Sequence, residues 1–147
     1  MIAMEKIVQE SSVVPTLSEI EEALKDFQGE IEQIPPMYSA KKVNGKKLCD
    51  MAREGKEIER KPCRVSLETT FLSYEYPHLN LKVKCSKGTY IRSIAFDLGY
   101  SLGCYGHLSK LRRTASGQFR IEECFDASKL SLPGLDLEAL KSRLRDL

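Results

Sequence analysis

In the stretch "KGTYIRSIAFDLG" (87–99), Tyr90 and Arg92 stand one residue apart, directly ahead of apolar residues at helical spacing. Arg92 offers a planar fork that pairs through two bonds with a carboxylate or a phosphate, and Tyr90 offers a flat ring with a hydroxyl. The plainer alternative is a structural pair between Arg92 and Asp97 or another local acid, with Tyr90 in the core. A second cluster is "PPMYSAKKVNGKK", where Tyr38 is followed by Lys41, Lys42, Lys46 and Lys47. Rings interleaved with lysines suit nucleic acid, since bases stack on rings while ammonium groups meet phosphates. A buried Tyr38 beside a solvated lysine face is the competing reading. The third is "LSKLRRTASGQF", in which Leu111 is flanked by Lys110, Arg112 and Arg113. In a strand Leu111 points away from Lys110 and Arg112, lining an apolar pocket while they reach phosphates; a core leucine on a basic edge strand fits the same letters.

Other chemistries find little support. There is no P-loop and no dinucleotide glycine fingerprint, and His78 and His107 stand in no nucleophile turn. Cys49, Cys63, Cys85, Cys104 and Cys124 are odd in number, widely spaced and free of any CxxC pair, so neither a disulfide framework nor a metal site is expected. Reduced thiols of this kind are the habit of cytoplasmic proteins, the compartment expected here. No apolar stretch reaches the roughly 18 residues of a membrane span, and "MIAMEKIVQE" has no secretory pattern.

The elements that must position the three clusters are readable from period and punctuation. "TLSEIEEALKDFQG" predicts a helix: Thr16 and Glu19 have capping-box spacing, Leu17, Ile20, Leu24 and Phe27 form a stripe, and Gly29 ends it. The prolines of "IEQIPPMYSAKKVNG" impose an extended segment. A short helix follows in "GKKLCDMAREG", closed by Gly55. "CRVSLETTFLSYEY" and "HLNLKVKCS" predict two strands joined at Pro77; in the second, Leu79, Leu81, Val83 and Cys85 face inward and Asn80, Lys82 and Lys84 outward. Ile91, Ile94, Ala95, Leu98 and Leu102 predict a helix from Tyr90 onward. "HLSKLRRTASGQFRI" predicts strand, turn at Ser116-Gly117, strand, and "LDLEALKSRLRDL" a short terminal helix. The sum is an α+β fold with a mixed, mainly antiparallel sheet and flanking helices.

Length and charge set the remaining bounds. The 147 residues suit one domain with its own core. A net charge of +2 conceals an asymmetry: residues 1–40 carry two lysines against eight acids, a net −6, and residues 41–120 carry seventeen basic residues against seven acids, a net +10. A basic centre suits a polyanion partner, with a solvated basic surface as the alternative.

Three phrases, "FQGEIEQIPPMYSAKKVNGKKLCDMAREG", "CSKGTYIRSIAFDLGYSLG" and "LSKLRRTASGQF", resemble in order and spacing the TruB-type tRNA pseudouridine synthases. The resemblance covers most of the chain. It implies a partial pseudouridine synthase fold over residues 1–130, followed by a helical tail over 131–147. It also implies an isomerase that converts the T-loop uridine of tRNA, uridine-55, to pseudouridine by base flipping and attack of an aspartate, with no metal or cofactor. By the same resemblance Arg92 pairs with that aspartate, Tyr90 stands beside the flipped base and Leu111 lines its pocket. Tyr38, Lys42, Lys87, Lys110, Arg112 and Arg113 are then RNA-contacting residues, and the partner is the T-arm of tRNA. Cys49 stands where the family commonly has an aromatic residue.

The family's aspartate belongs to a G-x-x-Asp-x-x-x-Gly motif, followed by a second tyrosine motif. Neither occurs in these 147 residues, whose likeness begins at "KIVQESSVVP". Asp97 lies five residues past Arg92, roughly 140° round a helix, and Asp26 and Asp50 belong to unrelated helical patterns. The expectation is a C-terminal portion of the catalytic domain, inactive alone, with a surface exposed where the N-terminal part docks. A non-catalytic RNA-binding module derived from such an enzyme is the alternative.

Overall fold

The computed structural model describes residues 9–43, 45–124, 126, 138 and 141. The chain divides into two compact units, Met1–Ser109 and Lys110–Leu147.

In the first unit, helix α1 (Leu17–Ala23) runs into a 3-10 turn (Leu24–Phe27) and strand β1 (Gly29–Gln33). The two-residue strands β2 (Lys42–Val43) and β3 (Lys46–Lys47) form a small hairpin ahead of helix α2 (Leu48–Arg53). Strands β4 (Cys63–Glu75) and β5 (His78–Cys85) precede helix α3 (Ile91–Ser101). β1, β4 and β5 make one antiparallel sheet with β4 in the middle. One sheet face is apolar: Val65 and Leu67 of β4 form one core cluster with Ile20, Leu24 and Phe27 and with Ile94 and Leu98 of α3. The other face is polar and carries the pairs Arg64–Glu32 (3.6 Å) and Lys84–Glu68 (3.2 Å). A register shift between Phe71 and Ser73 leaves Leu72 exposed and returns Tyr74 to the core side, where its hydroxyl donates to Pro15 O at 2.8 Å.

The α1 start follows its letters. Glu19 N–H donates to Thr16 Oγ1 (3.3 Å) and Thr16 N–H donates to Glu19 Oε2 (2.7 Å), a reciprocal cap that satisfies donors a helix end leaves free. Thr16→Ala is expected to cost about 1 kcal/mol, read as a lower urea midpoint. The bonds from the Thr16 N–H and then its hydroxyl hold the Glu19 carboxyl below its ordinary 4.5. The contribution of Glu19 is therefore present above that value and is lost as the pH falls through the lowered pKa.

Four expectations need correction. Leu17 is exposed rather than part of the stripe, because the chain tightens to a 3-10 turn at Leu24 and only Ile20, Leu24 and Phe27 reach the sheet. Helix α2 starts at Leu48, since Gly45 turns the β2–β3 hairpin and Lys46–Lys47 are extended. Cys85 is exposed at the end of β5, beyond the core-facing Leu79, Leu81 and Val83.

The last concerns the strand expected from His107 onward. Residues 105–114 form no strand; β6 (Ala115–Ser116) and β7 (Phe119–Arg120) make a minimal hairpin turning at Gly117-Gln118, followed by a 3-10 turn (Ile121–Glu123). Two ladder positions are all the local turn supports. The terminal helix expected in 131–147 lies, apart from Glu138 and Lys141, outside the described residues.

Candidate functional site

Tyr90 is the N-cap of α3, extended at φ −104° and ψ 103°, and Arg92 is the second residue of the helix. This is the strand-to-helix junction that the change of period predicts. The arm 33–41, expected to be extended but bent over 37–40 where Ser39 N–H donates to Met37 O (2.9 Å), is stitched to it by hydrogen bonds at three points. The side chain of Gln33 grips the backbone of Tyr90 from both sides: Tyr90 N–H donates to Gln33 Oε1 (2.8 Å), and Gln33 Nε2 donates to Tyr90 O (3.0 Å). Ser93 Oγ donates to Ile34 O (3.3 Å), and the Arg92 guanidinium donates through Nη2 to Tyr38 O (2.6 Å). Pro35, within the arm, is buried, and Arg60 Nη1 donates to its carbonyl at 3.3 Å.

Arg92 therefore commits one of its N–H groups to a main-chain carbonyl and forms no ion pair among the described residues. Asp97 is not its partner. Desolvation raises the Asp97 carboxyl above its usual value, whereas an adjacent guanidinium lowers one. The arginine stands exposed with fork capacity left over.

Tyr38 is 58% exposed, so the reading of it as a core residue fails. Beyond it, Lys42 lies on β2 directly opposite Lys47 on β3, and Val43 opposite Lys46. Like charges facing each other across a ladder repel, and none of these lysines forms an ion pair among the described residues. An anion laid along the hairpin relieves that repulsion. The hairpin is tied to the arm: Leu48 N–H donates to Lys41 O (2.9 Å) and Cys49 N–H to Ser39 O (3.0 Å). Tyr38, Lys42, Tyr90 and Arg92 thus belong to one stitched assembly. Lys87 is exposed on the turn between β5 and α3, in the loop that leads to Tyr90.

Lys110, Leu111, Arg112 and Arg113 lie in the second unit, all exposed and without regular structure. Leu111 is 66% exposed, so it is not a core leucine of an edge strand. Sequence reasoning overlooked Gln33. Strand parity was the available signal, since Gln33 shares a face with the core-packed Ile31, two residues before it. Among the described residues no group of three His, Cys, Asp or Glu is placed to hold a metal, and no helix is long and apolar enough to cross a membrane.

Arg92 with spare donors, two tyrosines and a lysine hairpin thus sit on an α+β scaffold with an antiparallel sheet. The crystal structure of a Cbf5-Nop10-Gar1 complex holds a chain that superposes with a TM-score of 0.63 at 29% identity, over 83% of this chain and 32% of that one. Residues 3–91 match the TruB family pseudouridylate synthase N-terminal domain, and residues 92–146 match the tRNA pseudouridylate synthase B C-terminal domain. The chain belongs to the TruB family of pseudouridylate synthases. It is 54% identical over 125 residues to tRNA pseudouridine synthase B of Protochlamydia amoebophila, covering 85% of this chain and 48% of that protein. It is also 54% identical over 132 residues to that of Chlamydia muridarum, covering 90% and 55%. The chain spans about half the length of these relatives.

Proposed function

We propose that this chain supplies the RNA-holding wall and the arginine of a tRNA pseudouridine synthase acting on the T-loop uridine, and that the attacking aspartate comes from sequence outside residues 1–147. The observation that carries the reading is Arg92: an exposed guanidinium, stitched into place between Tyr38 and Tyr90, with no carboxylate partner among the described residues. In the proposed reaction the flipped uridine lies beside Tyr90. An aspartate oriented by Arg92 attacks the nucleoside, the glycosidic C–N bond breaks and the uracil turns. A C–C bond forms to C1′ of the sugar through C5 of the base as the bond to the aspartate breaks; the C5 hydrogen leaves as a proton and N1 takes one up, so the carboxylate is regenerated and the change is an isomerisation. Without the aspartate there is no nucleophile, so residues 1–147 alone do not turn over. The ring pair Phe96 and Tyr100, exposed and 6.3 Å apart between centroids on α3, belongs in this reading to the surface the aspartate-bearing part covers.

Release of tritium from tRNA labelled at C5 of uridine tests this. Residues 1–147 alone are expected to release none, and addition of a segment carrying the G-x-x-Asp-x-x-x-Gly motif from a relative is expected to start turnover. Turnover by the chain alone overturns the external aspartate. No turnover in either arm, together with equal weak binding of tRNA and unrelated RNA, overturns the reading.

The lysine hairpin supports RNA binding independently of catalysis. Four phosphate contacts from Lys41, Lys42, Lys46 and Lys47 imply an affinity for T-arm RNA that falls roughly fiftyfold between about 50 and 200 mM salt. Replacing the four by glutamine is expected to flatten that dependence, as measured by filter binding.

A further inference from the structure

We propose that Gln33 is a positioning residue, whose side-chain amide sets where Tyr90 and Arg92 point; the proposal rests on the function proposed for this site. Gln33 is 1% exposed, on the core-facing side of β1. A buried amide costs free energy unless both its ends are bonded, and an aliphatic side chain on that face would pack without that requirement. Both ends of this one are spent on a single residue, the N–H and the C=O of Tyr90.

The amide acts as a surrogate peptide group. It bonds both backbone groups of Tyr90 and so fixes the N-cap of α3 in its extended conformation. Tyr90 O also accepts from Ser93 N (3.0 Å) and Ile94 N (3.3 Å), so the same carbonyl starts the helix. Fixing that peptide sets the Cα–Cβ direction of Tyr90 and, one helical step on, that of Arg92. The Ile34–Ser93 and Tyr38–Arg92 bonds then follow along the same arm.

The fold contains its own control. At the other end of β1, Gln28 grips Thr69 in the same way: Nε2 donates to Thr69 O (2.8 Å), and Thr69 N–H donates to Oε1 (3.1 Å). No candidate site residue is involved there. Ionisable groups around Gln33 are Cys63, whose thiol donates to Gln33 O (3.3 Å), Arg60, which donates to Pro35 O, the phenol of Tyr90, the Glu32–Arg64 pair on the opposite sheet face, and Arg92.

The test uses residues 1–147 labelled with 15N-tyrosine, in which Tyr90's amide line is the one lost in Tyr90→Phe, together with binding of a T-arm hairpin RNA. Gln33→Met is expected to displace the Tyr90 line and weaken RNA binding about tenfold. Gln28→Met, at an exposed glutamine, is expected to lower the urea midpoint by less, with less than about a twofold change in binding. Gln33→Glu supplies the rescue. A protonated carboxyl keeps one donor and one acceptor, whereas the ionised form is acceptor-only. Its affinity relative to the wild type is therefore expected to recover near pH 5 and to be lost near pH 8, with the Tyr90 line following. Equal binding losses in Gln28→Met and Gln33→Met, or a flat Gln33→Glu ratio, overturn the positioning role. If the wild type binds no T-arm RNA, the proposed function falls. The Tyr90 line then decides: if it is unmoved in Gln33→Met, or does not titrate in Gln33→Glu, the positioning role falls as well.

Discussion

Gly99→Ala is expected to destabilise the fold by about 3 kcal/mol or more, read as a lower urea midpoint. Gly99 is buried on α3, and a Cβ there falls 2.2 Å from Gly106 N and 2.5 Å from Tyr105 C. Those are backbone atoms, so no rotamer change relieves the clash. The approach is mutual: a Cβ on Gly106 falls 2.4 Å from Ala95 O. The chain reaches this crossing through a tight reversal, with Gly103 N–H on Tyr100 O (3.0 Å), Cys104 N–H on Gly99 O (3.1 Å) and Tyr105 at φ +51°. At an unhindered helix position, alanine in place of glycine favours the helix. A destabilising Gly99→Ala therefore reports the backbone crossing, whereas a urea midpoint at or above wild type would show that residues 105–106 do not pack there.

Arg92→Lys is expected to lower the rate of tritium release about 10³-fold, in the pairing with an aspartate-bearing segment, while changing T-arm RNA affinity less than about threefold. Lysine keeps the positive charge, so attraction for phosphate survives. It lacks the planar fork, so it cannot hold Tyr38 O and a carboxylate in fixed geometry together. The expected signature is a loss in the chemical step with binding nearly unchanged. A wild-type rate would remove Arg92 from the reaction. A parallel loss of RNA affinity would make it a phosphate contact, the other ligand that its sequence setting allowed.

Much of this protein was legible in its letters because the relevant signals are local. Period two in "HLNLKVKC" placed Leu79, Leu81 and Val83 against the core and Asn80, Lys82 and Lys84 away from it. The Thr16–Glu19 spacing marked a cap that forms as written. The change of period after Gly88 put Tyr90 and Arg92 at a strand-to-helix junction, and family membership followed from three phrases in order. Leu111 was misplaced because strand propensity is weak evidence without a partner strand, and residues 107–114 have none among those described.

Other features exist only where distant segments meet. Gly99 looked like a weak helix end, yet its role depends on a loop seven residues later crossing at van der Waals distance. Arg92 had several acids to choose from in sequence; geometry gave it the carbonyl of Tyr38, 54 residues away, and left the rest of its fork free. Gln33 read as one more polar residue before two prolines, until packing buried it and turned its amide onto Tyr90. Periodicity and caps are set by neighbours within a turn or a strand, so one sequence displays them. Which buried donor meets which acceptor is decided by three-dimensional closure, the only step that brings Gln33 and Tyr90 together.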